Sequence, residues 1–138
     1  RVDEVIAAGD GVYTALKRNV VTTAVAVIGP PYFPLDDEAI FGHFAAAARA
    51  CAPLPFYVYE FAAATGYAIA PAVLERLRED ASNVVGLKVS DTPFDAFEKY
   101  LLPGFDIFVG PEALIADGMA RGAIGAVSAL ASALPLEV

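Results

Sequence analysis

The sequence predicts an α/β fold on a parallel sheet, and three observations predict it. Six short runs rich in Val, Ile, Phe and Tyr are apolar almost throughout, as strands covered on both faces are. Helical patterns lie between them, and those helices open on acids or prolines. In chain order, a helix-like run at 2–8 precedes a first strand at 11–14 and a second at 24–28. Asp36, Asp37 and Glu38 then open a helix running to about Cys51, placing negative charge at the positive end of its dipole. A strand at 56–59 follows, and Pro71 opens a helix over 72–80 in the first-turn position that suits proline. After a strand at 84–88, Pro93 opens a helix over 94–102. After a strand at 106–109, Pro111 opens one over 112–121 that Gly122 stops, and the last strand spans 123–128. Repeated strand–helix–strand units wind right-handed onto a parallel sheet, which either closes as a barrel or stays open and doubly wound.

One connection does not fit. Nine residues, 15–23, separate the first two strands, whereas a parallel crossover with its helix needs at least ~10–12. Barrels of this class take ~250 residues against the 138 present here. The expectation is one domain over residues 1–138, internally gapped, with segments missing between 14 and 24 and at both ends.

Composition narrows the function. Hydrophobic residues make up 57% of the chain and charged residues 19%, with 17 acids against 9 bases and a net charge of −8. Such a surface repels phosphate backbones and anionic lipid, so neither nucleic acid nor a membrane surface is an expected partner. A small molecule or another protein fits better. Cys51 is the only cysteine, which rules out an intrachain disulfide and a multi-thiolate metal site. It reads as a small core residue. His43, the only histidine, lies in a mixed apolar run and reads as structural, so a metal centre is not expected. No stretch reaches the ~18–20 apolar residues of a membrane span. The run 122–136 is broken by two Gly, two Ser and a Pro, and no basic-then-apolar leader is visible. A cytoplasmic protein is expected.

The segment Val84-Val85-Gly86-Leu87-Lys88 carries the most chemistry. Of three lysines, Lys17 and Lys99 sit in charged, helix-like surroundings, whereas Lys88 ends an apolar strand. A charged amine is costly there unless paired or neutralised, and a desolvated amine is a nucleophile toward carbonyls. Pairing with Asp91 or another acid is the alternative. Tyr59 also ends a strand, where its phenol can shuttle protons or simply pack. Glu60 falls on the opposite side of the pleat and reads as an ion-pair partner. Gly110, Gly122 and Gly125 flank strands, where glycine admits close approach of a ligand or of a packed helix. Neither GxGxxG nor GxxxxGK[ST] occurs, so no phosphate loop is expected.

In this order the residues Gly29-Pro30-Pro31-Tyr32-Phe33, Leu54-Pro55-Phe56-Tyr57-Val58-Tyr59, Thr65-Gly66, Val85-Gly86-Leu87-Lys88, Gly110 and Gly122 to Ser128 resemble the dihydrodipicolinate synthase/N-acetylneuraminate lyase family of class I, pyruvate-type aldolases. A strand-end Tyr, then Thr-Gly, then a Gly-x-Lys strand whose lysine lies 29 residues after the Tyr is a specific combination. The resemblance implies a (β/α)8 TIM barrel, incomplete here, that assembles as a homo-oligomer (dimer or tetramer) and uses no metal or organic cofactor. It implies Lys88 as the imine-forming lysine and Tyr59 as the proton-transfer tyrosine. Gly110, Val127 and Thr65 fall to substrate binding. Val2 to Gly9 and Gly11-Val12-Tyr13-Thr14 resemble the family's first helix and second strand, and the Gly-Thr-Thr-Gly-Glu loop that comes next in the family and holds the substrate carboxylate is replaced here by Ala15-Leu16-Lys17. Lysine-pathway synthases carry Arg where this chain has Ala64, and a second Tyr where it has Phe33.

The expected activity is a Schiff-base-forming lyase or aldolase on pyruvate or a related 2-oxo acid. A dehydratase of a deoxy-oxo sugar acid would use the same lysine, and a non-catalytic 2-oxo-acid-binding barrel could keep it without turnover.

Overall fold

The structure is a computed structural model that describes residues 23–134 and Leu136. The strand expected at 11–14, Lys17 and nearly all of the short junction before Ala24 lie outside the described residues. Among the described residues five strands form one sheet: β1 (Val25–Ile28), β2 (Phe56–Glu60), β3 (Val84–Val89), β4 (Asp106–Val109) and β5 (Gly125–Ala126). Every neighbouring pair is parallel, and the strands lie side by side in chain order. That order decides between the two architectures. A doubly wound sheet reverses direction at a switch point and places helices on both faces. Here the succession never reverses, as along the wall of a (β/α)8 barrel.

The two faces of the sheet differ accordingly. Phe56, Val58, Leu87, Val89, Ile107 and Val109 are buried on the face that packs against the helices. Tyr57, Tyr59, Lys88 and Phe108 alternate with them on the concave inner face and are half-buried. Helix α1 (Asp37–Cys51) starts at Asp36, whose carboxylate accepts the Ala39 N–H at 2.8 Å. Its buried residues Ile40, Phe44, Ala45, Ala48 and Cys51 recur at helical spacing and form one stripe on the sheet. Cys51 is thus the core residue the sequence suggested.

After β2 comes a single turn, α2 (Ala62–Thr65), closed by Gly66 at φ 83°. Helix α3 (Pro71–Asp80) begins on its proline and buries Val73, Leu74 and Leu77 beside α1. Arg49–Asp80 and Arg76–Glu38 ion pairs link the outer surfaces of the two helices, each at 2.5 Å. The Asn83 amide donates to the carbonyls of Ala48 and Leu54 at 2.9 and 3.0 Å, tying the end of α1 to the start of β3.

Two elements are shorter than expected. Helix α4 (Phe94–Glu98) stops well before residue 102. Pro103 disfavours helical backbone at Leu102, whose N–H turns to the Tyr100 carbonyl at 2.8 Å. The segment opened by Pro111 begins as a 3-10 turn, Glu112–Leu114, and becomes α5 (Ile115–Ala120), with Gly122 at φ 106° beyond it. Gly118 lets α5 lie tight against β4, since a Cβ there would meet Val109 Cγ2 at 2.6 Å. Strand β5 keeps only two of the six residues expected at 123–128. Its pairing is limited to the end of the four-residue β4, although Ile124 and Val127 continue bonding to Ile107 and Val109 on either side. No helix among the described residues is long and apolar enough to cross a membrane.

Candidate active site

Parallel pairing brings the two expected catalytic residues together. Tyr59 on β2 and Lys88 on β3 are register partners, and Phe108 on β4 flanks the lysine from the other side. All three point to the inner face. The Lys88 Nζ stands 3.7 Å from the centre of the Tyr59 ring, a distance at which an ammonium is held by the ring's electrons. Among the described residues no ion pair involves Lys88. Pairing with Asp91 is absent, because Asp91 turns away to accept the Ala62 N–H at 2.8 Å. Tyr59 stacks at 6.0 Å on Phe61, and the Ser90 hydroxyl donates to its phenol oxygen at 3.3 Å.

Glycines make this approach possible. A Cβ on Gly110 would lie 2.2 Å from Ser90 Oγ and 2.8 Å from the Val89 carbonyl, so only glycine leaves the serine where it reaches Tyr59. Gly125 faces Phe108 in the same way, its Cβ position 3.0 Å from the ring. One step beyond the register of β4 and β5, Val127 comes beside Gly110, about half exposed on the rim. Lys88, Tyr59, Gly110 and Val127 therefore gather at the C-terminal ends of the strands.

Thr65 does not join them. It is buried in the turn after β2, where its hydroxyl donates to the Tyr67 carbonyl at 2.7 Å and also lies 3.3 Å from that of Phe61. Ala64 beside it is exposed, as are Tyr32 and Phe33. His43 packs edge-on to Phe44 at 5.0 Å, and burial lowers its pKa against the raising effect of the Ile28 backbone. It stands on α1 beside the backbone of Ile28 at the end of β1, and its Nε2 is buried without a hydrogen-bond partner among the described residues.

Glu60 corrects the sequence reading. It is not an ion-pair partner: it is 1% exposed on the helix-facing side, and among the described residues no cation reaches it. Its Oε2 accepts the Ile69 N–H at 3.2 Å, and its Oε1 is buried without a hydrogen-bond partner among the described residues. Asp91 and the Tyr100 hydroxyl stand against it. Burial, then the Asp91 carboxyl, pushes Glu60 up to about 8. Strand parity alone signals this position, since a residue after Tyr59 in a sheet covered by helices must enter the apolar layer. The partners Asp91 and Tyr100 come from distant loops and leave no such signal. Ser90 and Phe108 were missed for the same reason; only register places them at the site.

The Dihydrodipicolinate synthetase family matches residues 12–138. The chain is 36% identical over 128 residues to a 4-hydroxy-tetrahydrodipicolinate synthase of Thermus thermophilus, covering 91% of this chain and 43% of that protein. Among solved structures, dihydrodipicolinate synthase from Aquifex aeolicus superposes with a TM-score of 0.78 at 26% identity, over 91% of this chain and 43% of that one. A catalytic-lysine mutant of Ruminococcus gnavus sialic acid aldolase gives 0.76 at 26% identity, over 86% and 40%. The chain thus spans less than half the length of the relatives it matches. A sheet in strict chain order, a lysine stacked on a strand-end tyrosine and a match over nearly the whole sequence agree, and the chain belongs to the dihydrodipicolinate synthetase family.

Proposed function

We propose that this chain carries the Schiff-base half of an aldolase or lyase acting on pyruvate or a related 2-oxo acid. The observation that carries the reading is Lys88 Nζ over Tyr59 on the inner face of the sheet, with no carboxylate bound to the amine among the described residues. The neutral amine of Lys88 attacks the C2 carbonyl, and the carbinolamine loses water to leave a protonated imine. That cation draws electrons from C3, so loss of a proton or cleavage of the C3–C4 bond gives an enamine. Tyr59 carries protons to and from the hydroxyl and C3, and Ser90 holds its phenol in place. Gly110 and Val127 form the rim against which the small 2-oxo acid sits, and Thr65 acts by shaping the turn behind Tyr59. Exposed Ala64 offers no charge to a carboxylate on the second substrate, which favours an aldehyde that lacks one. No metal or organic cofactor enters these steps. Assembly into a homodimer or homotetramer belongs to the same reading.

Borohydride trapping tests it. Protein incubated with pyruvate and reductant gains the mass of the reduced adduct on the peptide containing Lys88, and Lys88→Ala gains none. An unlabelled Lys88 peptide, under conditions that label another class I aldolase, would overturn the reading.

A further inference from the structure

We propose that Glu60 and Asp91 share one proton in a buried carboxyl pair that ties the ends of β2 and β3 together, making Glu60 a positioning residue for Tyr59 and Lys88. The positioning role rests on the function proposed above; the carboxyl pair does not.

The geometry leads there. Glu60 follows Tyr59 on β2, and its carbonyl accepts the Ser90 N–H at 2.9 Å. Asp91, next to Ser90, accepts the Ala62 N–H at 2.8 Å, so the two acids leave adjacent strand ends whose backbones are bonded to each other, close enough for their carboxyls to interact. Both are buried, at 1% and 7% exposure. The groups around Glu60 are Asp91 from the turn after β3, Tyr100 from the turn after α4, and Tyr67 from the loop after α2. No cation is among them. Lys99 sits over the ring of Tyr100, 4.8 Å from its centre. The Tyr100 hydroxyl is itself engaged, donating to the Ile69 carbonyl at 3.0 Å. Two buried carboxylates without a cation repel at close range, and a bare Oε1 without a donor is costly. One proton removes both penalties: on Glu60 Oε1 it makes that atom a donor to Asp91. Asp91 in turn anchors α2 through Ala62, and its neighbour Ser90 donates to Tyr59. Breaking the pair therefore loosens both turns that fix Tyr59.

The sign of the pH effect follows. Glu60 is raised in the fold from an ordinary 4.5 to about 8, so the folded state keeps a proton that the unfolded chain releases. Its contribution is complete below the lower value and is lost as pH rises to the upper one, at about tenfold in the folding constant per pH unit.

The experiment compares wild type with Glu60→Gln, whose amide can donate to Asp91 at any pH. Urea denaturation across pH 5 to 9 should show the wild type losing stability relative to the variant up to about 8 and no further. A difference that does not change with pH overturns the pair. If Glu60→Gln does not fold, Asp91→Asn serves: it keeps an acceptor for Ala62, removes the like charge and lowers the upper end of the window by about one pH unit. An unchanged window overturns the pair. The positioning role has its own readout in the Lys88 ε-methylene proton shifts, which the Tyr59 ring current displaces. These should step near pH 8 in wild type and not in Glu60→Gln. Identical traces, or no step in wild type, overturn the positioning role. Neither readout uses pyruvate, so a failed trapping experiment is a separate result.

Discussion

Lys88 owes its position to a residue two places before it. Gly86 lies where β3 crowds both neighbours: a Cβ there would stand 2.0 Å from the Asp106 carbonyl oxygen and 2.8 Å from the Tyr57 ring. Backbone cannot give way as a side-chain tip can, so the strand itself would have to move. The register between β2 and β3 also shifts between Phe56 and Tyr57, so the pairing that sets Tyr59 opposite Lys88 begins at Gly86. Gly86→Ala should cost roughly 2–3 kcal/mol of stability, the upper part of the range for core overpacking because the clash is with backbone, measured by urea denaturation. A change below about 0.5 kcal/mol would show that the strands are not packed this closely. The tyrosine beside it is less constrained. Tyr57 approaches Asp106 at 3.5 Å, and burial together with that carboxylate raises its pKa, which keeps its phenol neutral.

Among the elements, α1 shows what local chemistry can and cannot decide. Its start was legible because Asp36 is a capping residue and Asp37 and Glu38 suit the first turn. Its buried stripe was legible because Ile40, Phe44 and Ala48 recur every four residues. Gly42 falls on the exposed side, where a Cβ would meet nothing within 4 Å. Gly42→Ala should therefore stabilise the protein by about 1 kcal/mol, the difference in helix propensity, read as a higher urea midpoint at unchanged slope. A lower midpoint would mean that the exposed face of α1 is occupied by something a methyl group disturbs. Strand β4 was legible to the residue, since Asp106 to Val109 is bounded by Phe105 after a glycine turn and by Gly110. Where the sequence misled, nonlocal partners were deciding. Helix α4 yields to Pro103, and Tyr100 leaves it to reach the Ile69 carbonyl across the core. The extent of β5 depends on how much of β4 remains to pair with it. The Tyr59–Lys88 pair was legible because each residue lies at the C-terminal end of its own apolar run, one place before the strand stops, whereas the Glu60–Asp91 contact requires two strand ends to be known at once.

At the scale of the whole molecule, charge bears on the proposed substrate. The chain carries a net charge of −8, and a 2-oxo acid is an anion at neutral pH. The chain's long-range field therefore opposes the approach of such an anion, while close to the proposed site Lys88 attracts it. The two effects act over different distances. Repulsion spread across the surface is screened once the Debye length falls to about 10 Å, near 0.1 M salt. A contact between carboxylate and bound amine in a half-buried site is screened much less. The three surface ion pairs among the described residues, Arg49–Asp80, Arg76–Glu38 and Arg121–Glu98, are exposed and contribute little either way. Raising salt from about 0.01 M to 0.15 M should thus speed pyruvate trapping on Lys88 by a factor of ~2–5. The methyl ester of pyruvate has the same ketone and no charge, so its trapping rate should stay level. If pyruvate slows with salt while the ester does not, local attraction governs the encounter, and the positive field around Lys88 reaches further than the acidic surface allows.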